Sequence, residues 1–565
     1  MFIFIYQNQH MRKYILLLLI PALHACHQAT TYDTIIRNAM IYDGNGGAPY
    51  KGDIAINADT IAALGNLASS KAKEEIDAKE MAVAPGFSNM MGHSEESLFQ
   101  DSRALSDVKQ GVTMEVFGEL SMAPLNAIMK KQMQNGQGDI KYNVSWNTLG
   151  EYMNTLEKKG IAINISSFVG TGTVRQYVLG EDNIAPTALQ LDSMKMLVAQ
   201  AMQEGALGVT NALIYPPDFF AKTDELIALS NDAAKSGGTY SSHMRSEGNK
   251  LVEAVKEIIT IAKEANIPVH IYHLKAAGKD NWNKMDSVIK MVNDARASGL
   301  QVSADMYMYL AGATGLTSVF PPTLQDGGFG KLRERLHDVA IRKKMAIAMN
   351  TNATDWENYY YGCGGAEHVL LLSFKQDSLK KYTGKTLAEV AKLQGKSPEE
   401  TAMDLIVGDS TRVGVAYFLM NEDNVKKQVA LPWVSFGSDE ASYAPEGVFL
   451  KSQPHPRAYG NFARVIGHYS RDEKILTLQQ AIYQLAKLPT ETLKIKKRGE
   501  LKVGNYADII IFDPAKVNGL ATYDKPQQFA TGMINVFVNG KLILKDGEAT
   551  NATPGRFVKG PGYKG

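Results

Sequence analysis

Two histidines of the chain stand where each could meet a metal ion, and two carboxylates stand where they could join them. In Tyr240-Ser-Ser-His243-Met-Arg245 an alternating run places Ser241, His243 and Arg245 on one face, and Val269-His-Ile-Tyr-His273-Leu-Lys275 does the same for His273 and Lys275. Neutral imidazoles at successive strand ends suit zinc or another first-row metal. Val112-Thr-Met-Glu115-Val-Phe-Gly-Glu119 ends in a carboxylate that completes a set of two imidazoles and one carboxylate, leaving a coordination position for water. Glu115 lies on the same face but deeper, as a buried structural acid or a partner behind the ligands. Phe436-Gly-Ser-Asp439-Glu440 supplies a further carboxylate, able to take a proton from water and return it to a leaving amine. The alternative for Ser438 or Asp439 is a helix N-cap after a βα turn.

Elements able to bring these ends together can be read from the pattern. Eight apolar, β-rich runs (82–91, 112–119, 163–170, 207–215, 239–245, 268–275, 301–309 and 432–440) are mostly separated by helical periodicity, as in 187–204 and 248–265. That alternation predicts an α/β fold with a (β/α)₈ TIM-like barrel, whose chemistry gathers at the C-terminal strand ends. About 120 residues separate runs seven and eight, far more than a crossover needs, so an inserted helical subdomain or lid is expected near 320–430. Short alternating strands at 34–42, 53–57 and 61–64, and again at 508–512, 534–538 and 541–544, predict one small β-sandwich domain built from both ends of the chain. The expected organisation is therefore 32–84 and 490–565 for the small domain and 85–489 for the barrel with its insertion.

Composition narrows the class. The chain has 565 residues, 45% of them hydrophobic, and a formal net charge of +1, so it has no basic surplus with which to bind nucleic acid. Met11-Arg12-Lys13 precedes the apolar Tyr14–Ile20 and then Pro21-Ala-Leu-His-Ala-Cys26, the order of a signal peptide, with an apolar core far short of the roughly 20 residues of a spanning helix. Leu23-His24-Ala25-Cys26 resembles a bacterial lipobox, although His24 is unusual there. An exported lipoprotein facing the periplasm or exterior, touching membrane only through its lipid anchor, is expected. An ordinary signal peptide with an incidental cysteine is the alternative. With Cys26 acylated, Cys363 is left alone and no intrachain disulfide can form.

Several motifs resemble the N-acyl-D-amino-acid deacylase (D-aminoacylase) family of the amidohydrolase superfamily. They are Ala82-Val-Ala-Pro-Gly-Phe87, Gln110-Gly-Val-Thr113, Gly205-Ala-Leu-Gly208, Leu213-Ile-Tyr-Pro-Pro217, Ser242-His-Met-Arg-Ser-Glu-Gly248, Gly437-Ser-Asp439 and His455-Pro-Arg457, with Gly504-Asn-Tyr-Ala-Asp508, Val538-Asn-Gly540 and Pro554-Gly-Arg556 near the end. The resemblance runs from about residue 32 onward. It implies a barrel with a small β-domain, a catalytic metal on His243 and His273, and Asp439 as general acid/base. It further implies that Tyr215 and Lys275 hold substrate and that Arg457 pairs with a substrate carboxylate, with Arg245 as another candidate.

Two departures from the family pattern matter. Where its first strand ends in His-x-His, this chain has Met91-Gly-His93, which places a second metal in doubt and leaves His93 as a weak ligand, a substrate contact or neither. Where the family has Gly-Asn-Cys, this chain has Gly118-Glu119-Leu120, and the missing ligand is assigned to Glu119. Losing a thiolate hardens the site, so manganese and iron compete with zinc for one divalent position. The expected reaction is hydrolysis of a linear amide in an N-acyl-D-amino acid or related peptide. The alternatives are a dipeptidase, a cyclic-amide hydrolase on the same scaffold, or a lipid-anchored binding protein whose metal site has decayed.

Overall fold

A computed structural model describes residues 31–565. The signal-peptide and Cys26 readings lie outside these residues.

Nine strands form the small domain's sheet: Thr31–Ile41, Tyr50–Asn57, Thr60–Gly65, Lys71–Asp77 and Ala82–Pro85 from the N-terminal part, and Ile509–Phe512, Met533–Val538, Lys541–Lys545 and Glu548–Ala549 from the C-terminal part. Ala82–Pro85 joins the halves, running parallel to the first strand (Met40 opposite Ala82) and antiparallel to Ile509–Phe512 (Ala84 opposite Ile510). Ile509-Ile-Ile-Phe512 is apolar throughout because both its faces are covered. Ile509 and Ile511 join Ile36, Ile54, Ile56 and Val83 on one side, while Ile510 and Phe512 enter the core shared with the barrel. Each such side chain contributes about 1.5–3 kcal/mol on burial.

The barrel strands, in order, are Phe87–Gly92, Val112–Phe117, Asn164–Ser167 continuing as Val169–Gly170, Gly208–Ala212, Thr239–His243, Val269–Ile271, Val302–Met306 and Val434–Phe436. Neighbouring strands pair in parallel, and a parallel bridge from Gly92 to Glu440 closes the ring between the first and eighth. The run read as one strand over 82–91 divides at Gly86, its first half in the small sheet and its second in the barrel. A Cβ at Gly86 would lie 2.1 Å from Thr113 Oγ1, so only glycine lets the chain cross there. The helices cover the barrel by their apolar stripe: in Leu251–Glu264, Leu251, Ala254, Val255, Ile258, Ile261 and Ala262 are buried at three- and four-residue spacing. Ala188–Glu204 starts on a Thr187/Gln190 capping box and stops at Gly205, in the left-handed region at φ 110°.

The segment before strand eight differs from the helical expectation. Ala311–Gly315, Val369–Ser373 and Gly414–Phe418 form a three-stranded antiparallel sheet, with helices Phe329–Arg335, Val339–Met349, Leu387–Gln394 and Pro398–Asp409 around it. Ala311-Gly-Ala-Thr-Gly315 carries almost no β propensity of its own and is a strand only because it pairs with Gly414–Phe418, a contact about 100 residues away along the chain. Its small residues allow this backbone to lie close over the barrel mouth.

Candidate metal centre

Glu119 leaves the second barrel strand, His243 ends the fifth and His273 follows the sixth. Glu119 Oε1 lies 2.6 Å from His243 Nδ1 and 3.0 Å from His273 Nε2. One ligand atom from each of the three falls within 4.8 Å of the others. His243 Nε2 is buried and has no hydrogen-bond partner. Converging imidazole and carboxylate donors with little exposure suit a divalent cation, since proton sharing alone leaves buried capacity unmet. Burial opposes the charge on Glu119, yet the two imidazoles hold its carboxyl well below the usual range. Burial and Lys275 oppose protonation of His273, but Glu247, Asp439 and Glu119 outweigh them and raise it to about 9.

His273 has φ 34° and Asp439 φ 50°, both in the left-handed region that side chains seldom occupy. Neighbouring strands hold them there. Asp305 Oδ1 accepts the His273 amide at 2.8 Å while Oδ2 lies 2.8 Å from His270 Nε2, and the Asp439 amide donates to Met91 O at 2.8 Å. Asp439 Oδ2 faces Arg457 Nη1 at 2.7 Å, and Oδ1 faces His93 Nε2 at 3.2 Å. Burial would raise the Asp439 carboxyl, but Arg457 and the nearby imidazoles bring it down to about 2. His93 is pushed up to about 10 by Asp439 and Glu95 against its burial, so in this arrangement it is a cation partnering Asp439.

A small cavity of about 30 Å³ brings together Glu119, His243, His273, Asp439, Tyr215 and Lys275, with Glu247, Tyr307 and Tyr359 also in its wall. The Tyr215 hydroxyl is 2.6 Å from Thr314 Oγ1, and its ring lies 5.4 Å from that of His243. Lys275 Nζ donates to Glu247 Oε1 at 2.6 Å and lies 2.8 Å from His273 Nδ1. Two cations expected at the substrate have partners within the protein. Arg245 lies outside this wall, its guanidinium on Glu257 at 3.0 Å and on the carbonyls of Phe219 and Ala221. Arg457 is buried beneath Asp439, stacked 4.4 Å from the Tyr307 ring centroid. Glu115 turns away from the cluster, accepting from the Ser94 amide at 3.0 Å. Burial and Asp107 push its carboxyl well above the usual range.

Glu247 was not singled out from the sequence, yet it is a hub. Its carboxylate lies 2.9 Å from His273 Nδ1, 2.6 Å from Lys275 Nζ, 2.8 Å from the Tyr359 hydroxyl and 3.8 Å from His243 Nε2. A carboxylate behind a ligating imidazole fixes its tautomer and orientation. Its position four residues after His243 was the available signal. Asp305 was also missed, although it lies one residue before the end of the seventh strand, much as Asp439 follows the eighth.

A family model described as "Amidohydrolase family" matches residues 74–544. The chain is 29% identical over 532 residues to D-aminoacylase of Alcaligenes xylosoxydans xylosoxydans, covering 93% of this chain and 97% of that one. It is 27% identical to the N-acyl-D-glutamate deacylase of the same organism, covering 93% and 96%. Among solved structures, N-acyl-D-glutamate deacylase from Bordetella bronchiseptica, complexed with zinc and a phosphonate inhibitor that mimics the tetrahedral intermediate, aligns with a TM-score of 0.77 at 25% identity, covering 94% of this chain and all of that one. With a family match across most of its length and a barrel whose strand ends converge on a metal-binding cluster, the chain belongs to the amidohydrolase family.

Proposed function

We propose that this amidohydrolase removes the acyl group from N-acyl-D-amino acids or closely related aminoacyl amides, using one divalent cation on Glu119, His243 and His273. The observation that carries this reading is that Asp439 and the three donors face one cavity, so a water activated at the cluster has a proton acceptor beside it. A bound cation supplies Lewis acidity, lowering the pKa of water and polarising the scissile carbonyl. Zinc is the first choice, with manganese or iron as competitors because Glu119 is a hard ligand.

The protein's own groups do the rest. Asp439 is ionised and takes the proton of the attacking water, then delivers it to the nitrogen as the carbon–nitrogen bond breaks, giving a carboxylic acid and a free amine. Arg457 and His93 hold its two oxygens in place. Tyr215 and Lys275 present a hydroxyl and an ammonium to the substrate. Glu247 orients His273 and Lys275 together. A cavity of about 30 Å³ holds little more than a water, so the Gly312–Thr314 wall and Tyr359, both from the insertion, withdraw to admit substrate. Tyr359 and Leu419 also line a neighbouring cavity of about 540 Å³, and displacing Tyr359 would join the two.

We also propose export and anchoring through an acylated Cys26, on the strength of the Met11–Cys26 pattern. Labelled fatty acid should be incorporated by the native chain and not by Cys26→Ala. Amine release from paired N-acyl-D- and N-acyl-L-amino acids and dipeptides, alongside elemental analysis, tests the reaction. About one metal per chain with release lost in Asp439→Asn is expected; no release after zinc, manganese or iron loading would defeat the reading.

A further inference from the structure

Each cation expected to meet the substrate also has a carboxylate partner within the protein. Arg245 faces Glu257, Lys275 faces Glu247 and Arg457 faces Asp439. Arg412, just before the insertion strand Gly414–Phe418, differs. Among the described residues it forms no ion pair. Its guanidinium lies 4.6 Å from the Tyr215 ring centroid and donates to two threonine hydroxyls, Nε to Thr317 at 3.4 Å and Nη2 to Thr314 at 3.2 Å. A guanidinium has five donors in a planar fork suited to a carboxylate, so most of this one is uncommitted.

Its place gives that charge a use. Tyr215 and Thr314, the two residues it touches there, both line the cavity, and the Tyr215 ring also lies 5.4 Å from that of His243. Arg412 therefore borders the cavity wall formed by the insertion, in contact with two of the residues that line it. A substrate with its amide at the cluster has the carboxylate of its amino-acid portion only a few bonds away.

Building on the proposed deacylation, we infer that Arg412 is a specificity-determining residue that binds a carboxylate of the substrate's amino-acid portion at the Tyr215–Thr314 wall. Because the insertion carries it, an anionic substrate would draw the wall inward, joining recognition to closure. The carboxylate is either the α-carboxylate or one on the side chain, and neutral analogues distinguish them.

The test compares Arg412→Met, Arg412→Gln and Arg412→Lys with the native metal-loaded protein. Acetate release is measured from N-acetyl-D-leucine against its amide, and from N-acetyl-D-glutamate against N-acetyl-D-glutamine. The Met and Gln variants should raise KM for the charged member of one pair by roughly 10- to 100-fold, with the neutral member almost unchanged and partial recovery in Lys. Loss confined to the first pair assigns the α-carboxylate, and to the second the side-chain carboxylate. Equal changes for charged and neutral members in both pairs would overturn the inference and make Arg412 a brace for Tyr215. The same comparison of dissociation constants by calorimetry in an Asp439→Asn background still decides the point if no substrate is hydrolysed, an outcome that sinks the deacylase reading instead.

Discussion

Arg457 Nη1 lies 2.7 Å from Asp439 Oδ2, so the buried guanidinium expected to meet a substrate carboxylate is the partner of the proposed acid/base. Arg457→Met removes the main attraction that lowers the Asp439 carboxyl to about 2. The acid limb of the kcat/KM–pH profile should move upward, since Asp439 would then protonate at higher pH. Breaking a buried pair from one side costs about 3–5 kcal/mol, so a lower melting temperature should accompany it. An unmoved acid limb in a folded variant would argue that Asp439 does not control the reaction.

Glu247→Gln keeps the shape of the hub but removes its charge. His273 and Lys275 lose the carboxylate at 2.9 and 2.6 Å. Metal affinity, measured by competition with a chelator, should fall roughly 10- to 100-fold. Native affinity in this variant would leave Glu247 no part in orienting His273.

Glu119→Ala and Glu119→Cys separate the ligand from its hardness. The alanine variant should lose the metal. The cysteine variant should hold it, with preference moved from manganese toward zinc because a thiolate is softer. Elemental analysis after loading with equimolar zinc and manganese reads both outcomes, and full metal content in the alanine variant would refute the ligand assignment.

Asp218 gives a stability signal apart from the metal. Its buried carboxyl accepts from the Ala212 amide at 2.9 Å and the Thr171 hydroxyl at 3.0 Å. Burial outweighs these bonds and raises it from 3.8 to about 7. The folded state thus holds this proton more tightly than the unfolded one. Its contribution to stability is complete below pH 3.8 and is lost as pH rises to about 7, with a slope of at most about 1.4 kcal/mol per pH unit. Asp218→Asn can keep both contacts, accepting from Ala212 and donating to Thr171. Chemical denaturation across this range should show a flatter profile than the native protein, and identical profiles would rule out the shift.

Much of the site was legible because strand geometry is local. A period of two places His243 on a chosen face, and the β-to-α alternation puts His243, His273, Asp439 and Glu119 around one barrel mouth. The split at Gly86 and the weak strand Ala311–Gly315 were not legible, because each depends on contact with another segment: Thr113 for one, Gly414–Phe418 for the other.

The sequence by itself pointed to the barrel and to the candidate donors and carboxylate at its strand ends, since each follows from residue type and position along a strand. Only the tertiary structure decided which charges oppose which. Glu247 meets Tyr359 from a distant insertion, Arg457 turns to Asp439, Arg245 turns to Glu257, and among the described residues Arg412 has no acidic partner. The physical reason is that a Coulomb interaction depends on separation in space and on burial, and ring closure and the insertion set both.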